Sequence, residues 1–354
     1  MSVINFIDPR GKLFSHLDRL VQLQAGLRPS PINIEIDLTN RCNLDCRECH
    51  FGYLRTHGEL PDDYEGTGDI MDHNLALSLP RILKRWGVNS VTWTGGGEPT
   101  IYPHLDDILE ATAEAGLDQG IYTNGTLITE RTAYVLRQTC TWIYVSLDHS
   151  TREQFTVGKG VDAFDNACRG VKRLLEVSGK AVVGLGFLLH EKNWHDCWHM
   201  LKLGRELGVD YIQFRPRIVT DPTCPGMPAE DIRWAEACIG LMSTLEKEPD
   251  VVVDTSRFSI YVKWQGHNYD MCWWCGLQAV ITPDGRIWTC ANRRGQPAAL
   301  LGDLNLETPE LIWEKKARLV PEPVGKDCRV LCRGHLPNLA LHDILAERPH
   351  ANFI

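Results

Sequence analysis

The stretch Arg41-Cys42-Asn43-Leu44-Asp45-Cys46-Arg47-Glu48-Cys49-His50 carries three cysteines in C-x3-C-x2-C spacing. Three thiolates on one short loop can hold three corners of a cubane iron–sulfur cluster, leaving the fourth iron open to another ligand. A second stretch, Thr94-Gly95-Gly96-Gly97-Glu98-Pro99-Thr100, sets three glycines in a row. Backbone there can approach a ligand closely and bind it through N–H and C=O groups. Alone, a glycine run is equally a loop that needs positive φ. A third group lies near the C-terminus: Cys272, Cys275, Cys290, Cys328 and Cys332. From Cys275 the pattern is C-x9-G-x4-C, through Thr282-Pro283-Asp284-Gly285-Arg286, which is a hairpin turn between two apolar runs. Four cysteines on such a hairpin suit zinc as well as an iron–sulfur cluster.

These groups need elements to hold them. Alternating apolar residues over 32–38 predict a strand that ends at the first cysteine loop. A regular rhythm follows. Helices are expected over 75–86, 105–115, 129–136, 164–177 and 196–207, and strands over 90–93, 119–122, 142–147, 181–189 and 211–214. Three helices end in glycine, an apolar residue and a strand, as expected where the position after a helix takes a left-handed backbone. Six strands alternating with helices argue for a parallel sheet with helical crossovers, with its sites at the C-terminal ends of the strands. The three-cysteine loop follows strand one and the glycine run follows strand two.

Outside this rhythm, Leu13, Leu17, Leu20 and Val21 fit one face of a leading helix. A polar segment over 56–69 reads as an ordered loop or lid over the site. A Pro- and Thr-rich loop over 220–227 and a helix over 229–245 close the repeating part. Short strands are expected over 251–253 and 259–264. The division is a helical lead-in over 1–30, a core over 31–250 and a small α+β unit over 251–354.

Composition narrows the function classes. With 37 basic and 46 acidic residues the net charge is −9, which argues against a nucleic-acid partner. No apolar run reaches the length of a membrane span and the N-terminus lacks a signal sequence, so a cytoplasmic protein is expected. Thirteen cysteines in a reducing compartment point to metal or catalysis before disulfides.

Taken together, C-x3-C-x2-C after strand one and Gly-Gly-Glu-Pro after strand two resemble the radical S-adenosylmethionine (radical SAM) superfamily over about residues 32–216. The resemblance implies a partial (β/α)6 barrel with a [4Fe–4S] cluster on Cys42, Cys46 and Cys49. It implies SAM chelated at the open iron, and a 5′-deoxyadenosyl radical released on one-electron reduction. Gly95, Gly96 and Gly97 would meet the SAM amino group, with Glu98 and Pro99 shaping the turn. Thr123, Asn124, Ser146, Asp148 and Arg215, at later strand ends, would contact SAM or substrate. The chain departs from the family at Glu48, where an aromatic residue is usual, leaving His50 or Phe51 to pack adenine. It departs again at His149, where glycine is common.

The C-terminal cysteines resemble the SPASM and twitch extensions of that superfamily. The resemblance implies one auxiliary [4Fe–4S] cluster on Cys272, Cys275, Cys290 and Cys332. Cys328 is left over as an alternative ligand, a hydrogen donor or a bystander. The expected function is hydrogen abstraction from a small molecule (sugar, aminocyclitol, nucleoside or amino acid), leading to oxidation, epimerisation or rearrangement. About 30 residues before strand one are too few for a peptide-binding domain, so peptide or nucleic-acid-base modification is the alternative. An electron donor such as flavodoxin or ferredoxin is expected as partner. A non-catalytic iron–sulfur electron-transfer or sensor protein would explain the cysteines without the glycine loop.

Overall fold

A computed structural model describes residues 9–46, 49–54, 60, 64–217, 229–253, 255–263, 266–315, 322–324, 328 and 332–346. Glu48, Trp264, the loop over 220–227 and most of 55–63 lie outside these.

The chain enters through α1 (Pro9–Phe14) and α2 (Leu17–Gln24) and reaches β1 (Asn33–Asp37). The expected single lead-in helix is therefore two helices. The turn at Ser15 and His16 resets the helical phase, so Leu13, Leu20 and Leu23 are buried while Leu17 and Val21 face solvent. The alternating part follows as α3 (His73–Trp86), β2 (Ser90–Thr94), α4 (Leu105–Glu114), β3 (Asp118–Thr123), α5 (Glu130–Thr139) and β4 (Trp142–Ser146). It continues through α6 (Arg152–Lys159), α7 (Phe164–Glu176), β5 (Val182–Leu189), α8 (Cys197–Leu207), β6 (Tyr211–Pro216) and α9 (Ala229–Leu245).

Local signals set these boundaries. The Asp72 carboxylate accepts from the N–H groups of Asn74 and Leu75 and starts α3, which runs through Pro80. The expected glycine stops are present: Gly87, Gly116 and Gly208 have φ of 92°, 71° and 83°.

The remaining elements are β7 (Val251–Val253), α10 (Thr255–Val262), β8 (Met271–Cys272), β9 (Gln278–Ile281), β10 (Arg286–Trp288), β11 (Leu300–Asp303), α11 (Pro309–Lys315), β12 (Glu322–Pro323) and α12 (His335–Leu345). The strand expected over 259–264 is wrong. Residues 259–262 belong to α10, where Phe258 and Tyr261 are buried at helical spacing and Tyr261 packs on Trp234 of α9, and Lys263 is a turn. Burial against a neighbouring helix overrides the β propensity of this Phe-, Ile- and Tyr-rich run.

Among the described residues, one ten-stranded sheet has the order β11-β10-β9-β1-β2-β3-β4-β5-β6-β7. Strands β1 to β7 pair in parallel, and β9 joins β1 in parallel on the other side. The expected hairpin is β9–β10, and β11 extends it antiparallel. The sheet stays open, as a partial barrel.

Alternation divides its two faces. Ile34, Ile36, Val91, Ile121, Ile143, Val145, Val183, Leu185, Ile212 and Phe214 form one core under the helices. The inner face takes Glu35, Asp37, Thr92, Tyr144 and Arg215 instead. Polar residues on a buried face point to a site.

Candidate active site

The cysteine loop leaves the end of β1 and is bonded to the two neighbouring strand ends. Gly97 N–H donates to the Thr39 carbonyl at 3.1 Å, and Glu98 N–H donates to the Arg41 carbonyl at 2.8 Å. The approach is so close that a Cβ on Gly96 would stand 2.0 Å from Asn40 Oδ1, and one on Gly97 would stand 2.1 Å from the Arg41 oxygen. At Gly97 the close neighbours are all backbone atoms, so only glycine fits there. Cys42, Cys46 and Cys49 form no disulfide and are half-buried, and Cys42 and Cys46 lie against the main core.

Glu98 ties the second and third strand ends together. Its Oε1 accepts from Thr100 N–H at 3.1 Å, from the Thr100 hydroxyl at 2.7 Å and from the Thr123 hydroxyl at 2.6 Å. Its Oε2 accepts from Asn124 N–H at 2.7 Å. Burial raises its pKa, and these donors pull it back. Pro99, buried, opens the short turn that follows. Asn124 then reaches the cysteine loop, donating from Nδ2 to Asn43 Oδ1 at 2.9 Å. Asn43 in turn donates to the Thr126 hydroxyl at 2.8 Å. Thr123 and Asn124 thus brace the loops.

Further round the barrel, Ser146 ends β4 opposite Gly186 of β5, half-buried. Asp148 accepts from Leu188 N–H at 2.8 Å and pairs with Lys159 at 2.5 Å. Lys159 was not legible as a site residue. Burial pushes its pKa down, but Asp148 and the thiols of Cys46 and Cys49 outweigh this and hold it above the usual lysine range. Arg215 donates to the Tyr144 hydroxyl at 2.6 Å and lies 4.6 Å over that ring. Its buried Nε has no hydrogen-bond partner among the described residues, an orphan donor of the kind that a ligand carboxylate satisfies. His149 is buried, and burial lowers its pKa to about 4, so the ring is neutral.

The second cysteine group gathers under α12. The thiols of Cys272, Cys328 and Cys332 are close enough to Cys290 to raise its pKa, after burial as the main cause. The Cys332 thiol is pushed up to about 11, again first by burial. Cys275 is buried and donates to the Cys272 carbonyl at 2.9 Å. Cys328 Sγ lies 3.4 Å from His267 Nε2. Among the described residues, no three or more His, Cys, Asp or Glu side chains are grouped to hold a single metal ion. Thiols that each bind a separate iron of a cubane stand further apart than the ligands of one ion. Soft thiols outside any disulfide suit such clusters as donors, and the C-terminal ones found acting on one another are Cys272, Cys290, Cys328 and Cys332, with Cys275 not among them.

The two sets are linked. His50, just after Cys49, lies 3.0 Å through Nε2 from Asn292 Oδ1, two residues after Cys290. Burial lowers its pKa to about 4, so the ring is neutral and Nε2–H is the donor. Arg294, fully buried, lies 4.2 Å over the Phe51 ring, pairs with Asp37, and stands 3.6 Å from Glu35. Both His50 and Phe51 thus turn towards residues 290–294. No sequence signal shows these links, because they join residues more than 240 positions apart.

Residues 36–204 match the family model of the Radical SAM superfamily. A probable GTP 3′,8-cyclase from Saccharolobus islandicus is 30% identical over 295 residues, covering 80% of this chain and 90% of the relative. A protein of the same name from Saccharolobus solfataricus is 30% identical over 294 residues, with the same coverage. Two solved structures share the fold. SuiB of Streptococcus suis, bound to precursor peptide SuiA, has a TM-score of 0.62 at 18% identity, covering 86% of this chain and 70% of SuiB. The anSMEcpe structure with bound AdoMet has a TM-score of 0.61 at 15% identity, covering 82% of each chain. Among the described residues, no helix is long and apolar enough to cross a membrane. The family model begins inside β1 and ends inside α8, so it spans the strand ends whose loops meet at Cys42 to Cys49, and the chain belongs to the radical SAM superfamily.

Proposed function

We propose that this radical SAM enzyme holds its [4Fe–4S] cluster on Cys42, Cys46 and Cys49 and binds SAM across the ends of β1 to β6. The observation that carries this is the contact of Gly97 with the backbone of Asn40 and Arg41, and of Gly96 with the Asn40 side chain, which sets a glycine cradle against the cysteine loop. Backbone carbonyls of Gly95, Gly96 and Gly97 take the amino group of SAM. Glu98 and Pro99 fix the cradle, while Thr123 and Asn124 brace it. Ser146 faces the ribose or carboxylate, Arg215 offers its orphan Nε to a carboxylate, and Asp148 acts through Lys159. Held there and reduced by one electron, the cluster and SAM would supply a 5′-deoxyadenosyl radical for hydrogen abstraction from a substrate carbon. A flavodoxin or ferredoxin is the electron donor.

A second [4Fe–4S] cluster lies on Cys272, Cys275, Cys290 and Cys332, within a C-terminal unit over 251–354. Cys328, beside it, gives the hydrogen of its S–H to a substrate carbon radical, and the thiyl radical left behind takes one electron, from the flavodoxin or ferredoxin, and a proton to restore the thiol. On this reading Cys328→Ala retains the full iron content and still cleaves SAM, but forms product at least tenfold more slowly. Loss of about half the iron would make Cys328 a ligand instead.

The substrate is a small molecule of nucleoside type. The relatives' name, GTP 3′,8-cyclase, supports the nucleoside part. The charge balance argues against a triphosphate. Among the described residues, Lys159 is paired with Asp148, Arg294 with Asp37 and Arg333 with Glu35, while Arg215, bonded to the neutral Tyr144 hydroxyl, keeps its charge for the SAM carboxylate. A polyphosphate needs cations that are not already matched.

The test is anaerobic reconstitution with dithionite, SAM and either guanosine or GTP. The expected results are about eight iron and eight sulfide per chain for two cubanes, 5′-deoxyadenosine in the product mixture, and faster release with the nucleoside. No 5′-deoxyadenosine under any condition would return the chain to an electron-transfer protein. Four irons would remove the second cluster, and zinc would replace it. Faster release with GTP would overturn the charge argument.

A further inference from the structure

Buried ammonium groups persist only when paired, because desolvating one costs several kcal/mol. Lys159, the last residue of α6, is 7% exposed. It is held in place from three sides. Its Nζ pairs with Asp148 Oδ2 at 2.5 Å. Its carbonyl accepts from Asp45 N–H, in the middle of the cysteine loop, at 2.9 Å. The next residue, Gly160, has φ of 71°, and a Cβ there would stand 2.5 Å from the Asp45 carbonyl oxygen. Asp148 is itself strained. It is the one non-glycine residue with positive φ among the described residues, at 61°, a conformation that costs about 1–2 kcal/mol. That strain aims its Oδ1 at Leu188 N–H and its Oδ2 at Lys159. The fold therefore ties this cation to the cysteine loop through Asp45, and the Cys46 and Cys49 thiols are close enough to act on its charge.

We propose that the Lys159–Asp148 pair sets the reduction potential of the metal centre on this loop, with Lys159 easing one-electron reduction and Asp148 moderating it. Reduction adds one negative charge to a centre already carrying three thiolates. A fixed cation in a low-dielectric site stabilises that extra charge more than the oxidised state. Asp148 opposes the effect in part, because its carboxylate neutralises the same ammonium. Lys159 is a positioning and tuning residue, acting on the cluster without ligating it. The proposal rests on the reading that Cys42, Cys46 and Cys49 hold a [4Fe–4S] cluster.

The test is a potentiometric titration of the reconstituted full chain without SAM, following the reduced-cluster signal by electron paramagnetic resonance. Lys159→Met should lower the midpoint by the equivalent of about a tenfold change in the reduction equilibrium, about 59 mV for one electron. Asp148→Asn, which leaves the cation and removes its counter-charge, should raise the midpoint. Lys159→Arg should stay near the wild type. The double variant Lys159→Met/Asp148→Asn leaves no buried charge unpaired and guards against a folding defect, and its midpoint should lie between those of the single variants. An unchanged midpoint in Lys159→Met would overturn the proposal. So would shifts of the same sign in Lys159→Met and Asp148→Asn, or an equal shift in Lys159→Arg, because these report loop distortion and not charge. A wild type that binds no iron after reconstitution would instead overturn the cluster reading itself.

Discussion

Gly97→Ala should abolish SAM cleavage, with 5′-deoxyadenosine formation falling by at least 100-fold, and should reduce the iron retained after gel filtration. The new Cβ would stand 2.1 Å from the Arg41 carbonyl oxygen, 2.6 Å from the Asn40 carbonyl carbon and 2.7 Å from the Arg41 carbonyl carbon. All three are backbone atoms, so no side chain can rotate away. The strand-one segment that leads into Cys42 must move, or the Gly95–Gly97 cradle must. Either movement breaks the Gly97 N–H to Thr39 and Glu98 N–H to Arg41 hydrogen bonds. Overpacking of this kind costs about 1–3 kcal/mol in stability, a modest part of the whole. The loss in activity should be far larger, because the two loops must keep their mutual geometry for chemistry. Gly240→Ala is the matched control. It lies exposed within α9 with nothing within 4 Å of the added Cβ, so it should leave activity unchanged and raise stability by about 0.5–1 kcal/mol. Equal losses in both variants would show that the cradle contact has no special role.

Much of the architecture was legible because it is written locally. Each barrel strand is a short apolar run after a helix, and the glycines at 87, 116 and 208 mark where those helices stop. The cysteine and glycine loops were legible for the same reason, since each follows its strand directly. Failures came where distant packing decides. Residues 255–262 have the composition of a strand, and only their burial against α9 makes them a helix. The lead-in helix was read as one phase because nothing in its sequence announces the turn at Ser15 and His16. Helix α6 is short and polar, and no apolar periodicity announces it or Lys159. Its role depends on Asp148, 11 residues away, and on a loop more than 100 residues earlier. Arg294 is the extreme case. Asn292-Arg293-Arg294-Gly295 looks like a solvated turn, yet Arg294 is fully buried against two carboxylates of β1. Sequence spacing cannot reveal a pair formed across 257 positions.

That pair makes Arg294→Met the substitution with the largest expected cost in stability. Asp37 and the Arg294 side chain are both fully buried, and Glu35 is nearly so. Removing one partner of a buried ion pair leaves an uncompensated charge and costs about 3–5 kcal/mol, readable as a lowered urea midpoint at unchanged slope. Glu35 keeps Arg333 as a partner, so the cost falls mainly on Asp37. Its pKa is already raised in the folded state by burial, with Arg294 pulling it back. Without Arg294 it must rise further. A carboxyl whose folded pKa lies above its unfolded value binds more protons when folded, so its contribution to stability is greatest at low pH and is lost as pH rises. The deficit of Arg294→Met relative to wild type should therefore shrink as the pH is lowered from 8, because the raised carboxyl regains its proton in the folded state first. Asp37→Asn in the Arg294→Met background should recover part of the loss at pH 8, because it removes the stranded charge. A deficit independent of pH, with no recovery in the double variant, would mean that Arg294 contributes packing over Phe51 and not charge. Because Arg294 also ties the segment after Cys290 to the strand before Cys42, the same variant should loosen both cysteine sites, and iron lost from both together would show that one buried cation couples them.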